Sequence, residues 1–147
     1  MAGTCRDIYD ACEKGKKEEV ERFIRAGVGV NEKNNVGMTP IHLAAWGGYK
    51  DLVKLLLENG ANIDEKNKNS GITPILWAAG QGHKDIVKLL VDRGANIDVK
   101  NDRGVTPVFQ AAEEGHTDIV MLLLSAGADP YIADRDGRTA RDVDETG

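Results

Sequence analysis

Gly37-Met38-Thr39-Pro40-Ile41-His42-Leu43-Ala44-Ala45-Trp46-Gly47-Gly48 sets a frame that the chain repeats. It returns as Gly71-Ile72-Thr73-Pro74-Ile75-Leu76-Trp77-Ala78-Ala79-Gly80-Gln81-Gly82, and again as Gly104-Val105-Thr106-Pro107-Val108-Phe109-Gln110-Ala111-Ala112-Glu113-Glu114-Gly115. From Thr39 to Thr73 is 34 residues, and the steps to Thr106 and Thr139 are 33 each. Stepping 33 back from Thr39 reaches Arg6, which sets Ala11 and Gly15 under Ala44 and Gly48. A fixed period of this length marks a stacked array of small units.

Each unit carries its own punctuation. Thr39, Thr73 and Thr106 sit where a hydroxyl accepts from the free N–H groups of a helix start. Pro40, Pro74 and Pro107 follow at the first helical position, where a missing N–H costs nothing. Gly48, Gly82 and Gly115 close that helix, and Gly60, Gly94 and Gly127 close a second one. Polar runs such as Asn62-Ile63-Asp64-Glu65-Lys66-Asn67 then read as loops that double back. The 34-residue step places one extra residue within Lys66 to Ser70.

Outward from the three full copies, the second helices differ in width of apolar surface. Val20, Phe23 and Ile24 form one stripe among charged neighbours, as expected of an end unit with one buried side. The sets Leu52-Val53-Leu55-Leu56-Leu57, Ile86-Val87-Leu89-Leu90-Val91 and Ile119-Val120-Leu122-Leu123-Leu124 predict helices covered on several sides. In the last copy the proline is gone, Asp144 and Glu145 stand where small residues are expected, and no second helix follows. So short a cap covers Ile119 to Leu124 poorly, which reads as a fragment of a longer protein.

The Thr-Pro-Ile-His-Leu-Ala-Ala run, the pairs Gly82-His83 and Gly115-His116, and Ile86-Val87-x-Leu-Leu followed by Gly94-Ala95 resemble the ankyrin-repeat family over almost the whole chain. That resemblance implies an all-α ankyrin-repeat solenoid of about four helix pairs plus a short C-terminal cap, with β-hairpin fingers. The expected single domain spans 1–147: a capping repeat 1–34, full repeats 35–67, 68–101 and 102–134, and a partial cap 135–147. The family's function is protein binding along a concave face made by fingers and inner helices. It implies no reaction and no cofactor.

Composition restricts the partner. The 147 residues and 41% hydrophobic content suit one domain with a core. A net charge of −5 argues against a nucleic-acid duplex or an anionic membrane. The longest apolar run, Ile119 to Leu124, is too short for direct membrane insertion. Met1 to Asp7 has no signal-peptide character. Cys5 and Cys12, seven apart on a helical stretch, lie about 10 Å apart, beyond the roughly 7 Å of a disulfide. Two free thiols place the chain in a reducing, intracellular compartment, cytoplasmic or nuclear.

No catalytic constellation is present, and the expected chain is not an enzyme. Gly15-Lys16 lacks a phosphate loop's upstream glycine. His42, His83 and His116 are far apart without cysteine partners and read as structural, so no metal site is expected.

The candidate site comes from the direction of the inner-helix side chains. At about 100° per residue, Ile41, Ala44 and Ala45 cluster inward, while Leu43, Trp46 and Gly47 look outward. The same offsets give outward sets of Asp10, Glu13 and Lys14; Trp77, Gly80 and Gln81; Gln110, Glu113 and Glu114. Both tryptophans therefore fall on the groove side of adjacent helices about 10 Å apart, with Gly47 and Gly80 leaving room beside them. Clustered exposed aromatics mark interaction sites, although the rings also suit a filler role. Met38, Ile72 and Val105 hold equivalent finger positions, either extending the apolar floor or packing finger on finger. The expected partner is a protein segment with an apolar anchor for Trp46 and Trp77 and basic flanks facing Glu13, Glu113 and Glu114. The rival readings are a methyl-lysine reader with a partial aromatic cage and a regulatory segment of a larger enzyme or channel.

Overall fold

The computed structural model describes residues 4–146, with side chains as far as Val143, and its regular elements are all helices, joined by turns and loops. The Asp144 and Glu145 side chains in the sequence-based cap fall outside that description. The inner helices are α1 (Ile8–Glu13), α3 (Pro40–Gly47), α5 (Pro74–Gln81), α7 (Pro107–Glu113) and α9 (Ala140–Thr146). The outer helices are α2 (Lys17–Arg25), α4 (Lys50–Glu58), α6 (Lys84–Asp92) and α8 (Thr117–Ser125). Each inner helix packs on the next, each outer helix packs on the next, and α9 closes against α7.

The inner helices approach closely because small side chains face one another. Ala44, Ala45, Ala78, Ala79 and Ala111 are all fully buried. Behind them Leu52, Val53 and Leu56 of α4, and Ile86, Val87 and Leu90 of α6, fill the space between inner and outer layers. Each such Leu, Ile or Val stabilises by roughly 1.5–3 kcal/mol through burial. The end helices are different. α2 fully buries only Val20, and α8 leaves Met121 61% and Leu124 39% exposed.

The three Thr-Pro helix starts are satisfied differently. Thr106 accepts from the backbone N–H of Phe109 at 3.3 Å, as a capping threonine should. His42 takes over at Thr39: its Nδ1 accepts from the Thr39 N–H at 3.0 Å and lies 2.9 Å from the hydroxyl. Its Nε2 then carries the proton and donates to the Glu65 carbonyl in the next finger, at 2.6 Å. At Thr73 neither arrangement forms, and its hydroxyl is buried without a partner among the described residues.

The β-hairpin fingers expected from the family resemblance are a correction: no strand is present among the described residues. Each finger makes one backbone bond across its base, from Asn34 to Met38, Asn67 to Ile72, Asn101 to Val105 and Asp134 to Arg138. A strand ladder needs the reciprocal bond. Here the side-chain oxygen of Asn34 accepts the Met38 N–H at 2.9 Å, and Asn67, Asn101 and Asp134 do the same for Ile72, Val105 and Arg138. An Asx side chain has replaced the second strand. The extra residue of the second finger lies between Asn67 and Ile72, where the Asn67 side chain also accepts from Ser70.

A second set of ties crosses between units. Tyr49 donates to the Glu13 carbonyl at 3.3 Å, His83 to the Trp46 carbonyl at 3.0 Å, and His116 to the Gly80 carbonyl at 3.1 Å. The three carbonyls occupy the same place in successive units. The rings lie over Gly15, Gly48 and Gly82, where a Cβ would come within 2.5, 2.7 and 2.8 Å of them. All three glycines also have φ between 69° and 82°, so any other residue would be both strained and obstructed.

Candidate partner-binding groove

The fold brings five of the sequence-predicted site residues around one pocket. Ile72 and Trp77 with Leu76 form its apolar part; Gln81, Gln110, Glu114 and Asn101 supply its polar rim, with a volume of about 210 Å³. Trp77 is half-buried, and its indole Nε1 is buried without an acceptor among the described residues. The part of the ring left open is therefore carbon surface.

The other predicted residues are placed elsewhere. Trp46 does not line this pocket but stands one unit away, 49% exposed. Leu43 is only 7% exposed and Val105 is fully buried, so both pack within the body. Met38 is half-buried against the next finger, where the Asn67 amide approaches its sulfur at 3.5 Å. The room expected beside the rings is filled: a Cβ on Gly47 would meet the Tyr49 ring at 2.6 Å, and one on Gly80 would meet Gln110 at 3.0 Å.

Electrostatics separates the acids. Arg138 approaches Glu113 at 3.8 Å and Asp134 at 3.1 Å, and lies over the Phe109 ring at 5.5 Å. Asp10 is paired with Lys14 at 3.2 Å, and its carboxyl is held below the usual range first by the Arg6 backbone N–H. Glu13 and Glu114 have no ion-pair partner among the described residues. At the N-terminal end Asp7, Asp10 and Glu13 line a second, wider pocket of about 420 Å³ with Arg6, Tyr9 and Asn34. The groove thus offers uncompensated carboxylates at both ends, Asp7 and Glu13 at one and Glu114 at the other.

Tyr49 and Asn101 were missed in the sequence as contributors, and His83 was read there only as structural. His83 holds the Trp46 carbonyl and so fixes the backbone beneath that ring. The signal was available: Tyr49, His83 and His116 share one register, each after a glycine.

Among the described residues no three His, Cys, Asp or Glu side chains gather to hold a metal ion. Both cysteines are buried and free, and burial pushes the Cys12 thiol up to about 12, far from a reactive thiolate at neutral pH. No helix among the described residues is long and apolar enough to cross a membrane.

Comparison with known proteins agrees with the repeat geometry. A stretch of 69 residues is 37% identical to an ankyrin repeat-containing protein of Schizosaccharomyces pombe, covering 47% of this chain and 33% of that protein. Another, of 60 residues, is 35% identical to protein phosphatase 1 regulatory subunit 27 of Homo sapiens, covering 41% and 39%. A third, of 72 residues, is 36% identical to the transient receptor potential cation channel subfamily A member 1 of Homo sapiens, covering 44% and 6%. The chain thus matches well under half the length of each of these relatives. The family description "Ankyrin repeats (3 copies)" matches residues 8–67 and 64–134. With that match and the stacked helix pairs together, the chain belongs to the ankyrin-repeat family.

Proposed function

We propose that this chain is a non-enzymatic interaction module that holds an extended protein segment along its concave groove. Ankyrin repeats mediate protein–protein interaction, and the finer reading rests on the tryptophans. The carrying observation is the pocket floored by Trp77, with Trp46 exposed on the neighbouring inner helix. An aromatic ring that is rigid and partly desolvated is the commonest kind of binding hot spot. Unpaired acids at the two ends, Glu13 and Glu114 among them, favour a segment with basic flanks. Free thiols support a reducing, intracellular setting.

The test is a peptide-display selection on the purified chain, repeated with Trp46→Ala and Trp77→Ala. Each substitution should weaken selected peptides roughly thirtyfold, or about 2 kcal/mol. Peptides that keep their affinity for both variants overturn the reading.

A second reading draws on the printed names of the relatives, one a phosphatase regulatory subunit and one a cation channel. In it the groove is the docking part of a regulatory segment whose effector lies elsewhere in a longer chain or complex. Affinity capture of a stable enzyme or channel partner, lost with Trp77→Ala, supports it; capture unaffected by either tryptophan removes it.

A further inference from the structure

The inner helices α1, α3, α5 and α7 end at, or one residue before, the equivalent positions Lys14, Gly47, Gln81 and Glu114. Unpaired carbonyls make a helix C-terminus partially negative, so a lysine there is favourable and a carboxylate is not. α7 nevertheless carries two acids at that end. Glu113 is compensated by Arg138. Glu114 receives only the neutral amide of Gln110, at 3.4 Å, among the described residues.

That uncompensated charge lies on the rim of the Trp77 pocket. Every other residue lining it is neutral: Trp77, Ile72 and Leu76 are apolar, and Gln81, Asn101 and Gln110 carry amides. At about 210 Å³ the space is below the roughly 300–1,000 Å³ of sites that take whole small molecules. It suits one long side chain.

We propose that this pocket takes an arginine side chain of the bound segment, with its guanidinium on the Trp77 ring and paired with Glu114; the proposal rests on the groove reading above. The open part of the indole is carbon surface, because Nε1 is turned into the body, and a guanidinium stacks on such a surface by cation–π attraction. Gln110 spends an amide N–H on Glu114, which leaves its carbonyl oxygen free to accept. A guanidinium has five N–H donors in one plane and can serve a carboxylate and neighbouring amide oxygens together. Lysine is more strongly hydrated and lacks the flat face. Trimethyl-lysine has no donor and meets one aromatic ring here instead of a cage. A carboxylate side chain is repelled by Glu114.

The test uses ¹⁵N-labelled protein titrated with N-acetyl-arginine methylamide and with its lysine, trimethyl-lysine and citrulline counterparts. The arginine probe should shift the side-chain amides of Gln81 and Gln110 in a saturable way. Citrulline, equal in shape but uncharged, should bind at least fivefold more weakly. Glu114→Gln should weaken the arginine probe at least fivefold, and Glu113→Gln should leave it unchanged; the spectra themselves report that each variant is folded. Citrulline matching arginine, trimethyl-lysine binding more tightly, an indifferent Glu114→Gln, or no shift at these amides each overturns the assignment. The displayed peptides separate the two failures. Peptides lost with Trp46→Ala but indifferent to replacement of their arginines keep the groove and remove the arginine; peptides indifferent to both tryptophans remove the groove.

Discussion

On α5, Trp77 is half-buried and Gln81 is exposed, while Ala78 and Ala79 between them are fully buried. Five consecutive residues thus span two regions with opposite demands. The alanine face is set by volume, since α5 packs there against α3 and α7 and its alanines are fully buried. The groove face is set by what a ligand offers, and its side chains differ from unit to unit: Trp46, then Trp77 and Gln81, then Gln110 and Glu114. A repeat protein can therefore alter its specificity without altering its stack, provided each change stays on the correct side of the helix.

The largest expected effect breaks this contrast on the alanine side. Ala78→Leu overpacks the contact between inner helices and should cost about 3 kcal/mol, the upper end of such substitutions. For a chain of this size that lowers the melting temperature by roughly 6–12 °C. An unchanged melting curve would mean that the face is not close-packed.

Next, the two tryptophans should part company. Trp77→Ala should lower stability by about 2 kcal/mol, less than for a fully buried ring, because part of Trp77 is packed. Trp46→Ala should stay within about 1 kcal/mol, as for other exposed positions. Equal losses in denaturant unfolding would erase the difference between the rings.

Acid should act through His42, a buried group on the inner side. Burial, the main cause, lowers its pKa from the ordinary 6.5, against the opposing pull of the Glu65 carbonyl. The unfolded chain therefore binds more protons than the folded one just below that value, so stability falls as the pH drops from about 6.5 toward the folded pKa. His42→Leu copies the residue that the next unit carries, Leu76, and should flatten that part of the pH–stability curve. A slope unchanged by the substitution assigns the acid sensitivity to another group.

The smallest effect has the opposite sign. Glu114→Gln should raise stability by a few tenths of a kcal/mol, since it removes an acid from a helix C-terminus. Arg138→Gln should lower it by about 0.5 kcal/mol, the scale of a partly exposed ion pair. Finding Glu114→Gln destabilising would show that its carboxylate has a structural partner.

The stack was legible because its signals are local and periodic: Thr-Pro starts, glycine ends and paired alanines recur at one spacing. The direction of Trp46 and Trp77 followed from the same angular reading, but their burial did not, since it depends on neighbouring units. The strands expected at the fingers fail for a chemical reason that the sequence also carried. Asn34, Asn67, Asn101 and Asp134 share one register, and each spends its side chain on the N–H that a second strand would need. Glu113 and Glu114 look identical in sequence. Only the fold reveals that Arg138, from the next finger, reaches one of them. Gly47 and Gly80 misled for a similar reason, because the space they leave belongs to Tyr49 and Gln110.

The ring-on-glycine ties bear on the mechanics of the molecule. Tyr49, His83 and His116 each pin one joint between neighbouring units, and no pin spans two joints. Because each repeat contacts only its neighbours, bending at one joint leaves the others unloaded. The pitch of the groove is then a sum of separate angles, each adjustable by one side chain. Exchanging His83 for tyrosine, the residue used at the preceding joint, would lengthen the pin on the Trp46 carbonyl and open the angle between the two tryptophan-bearing units alone.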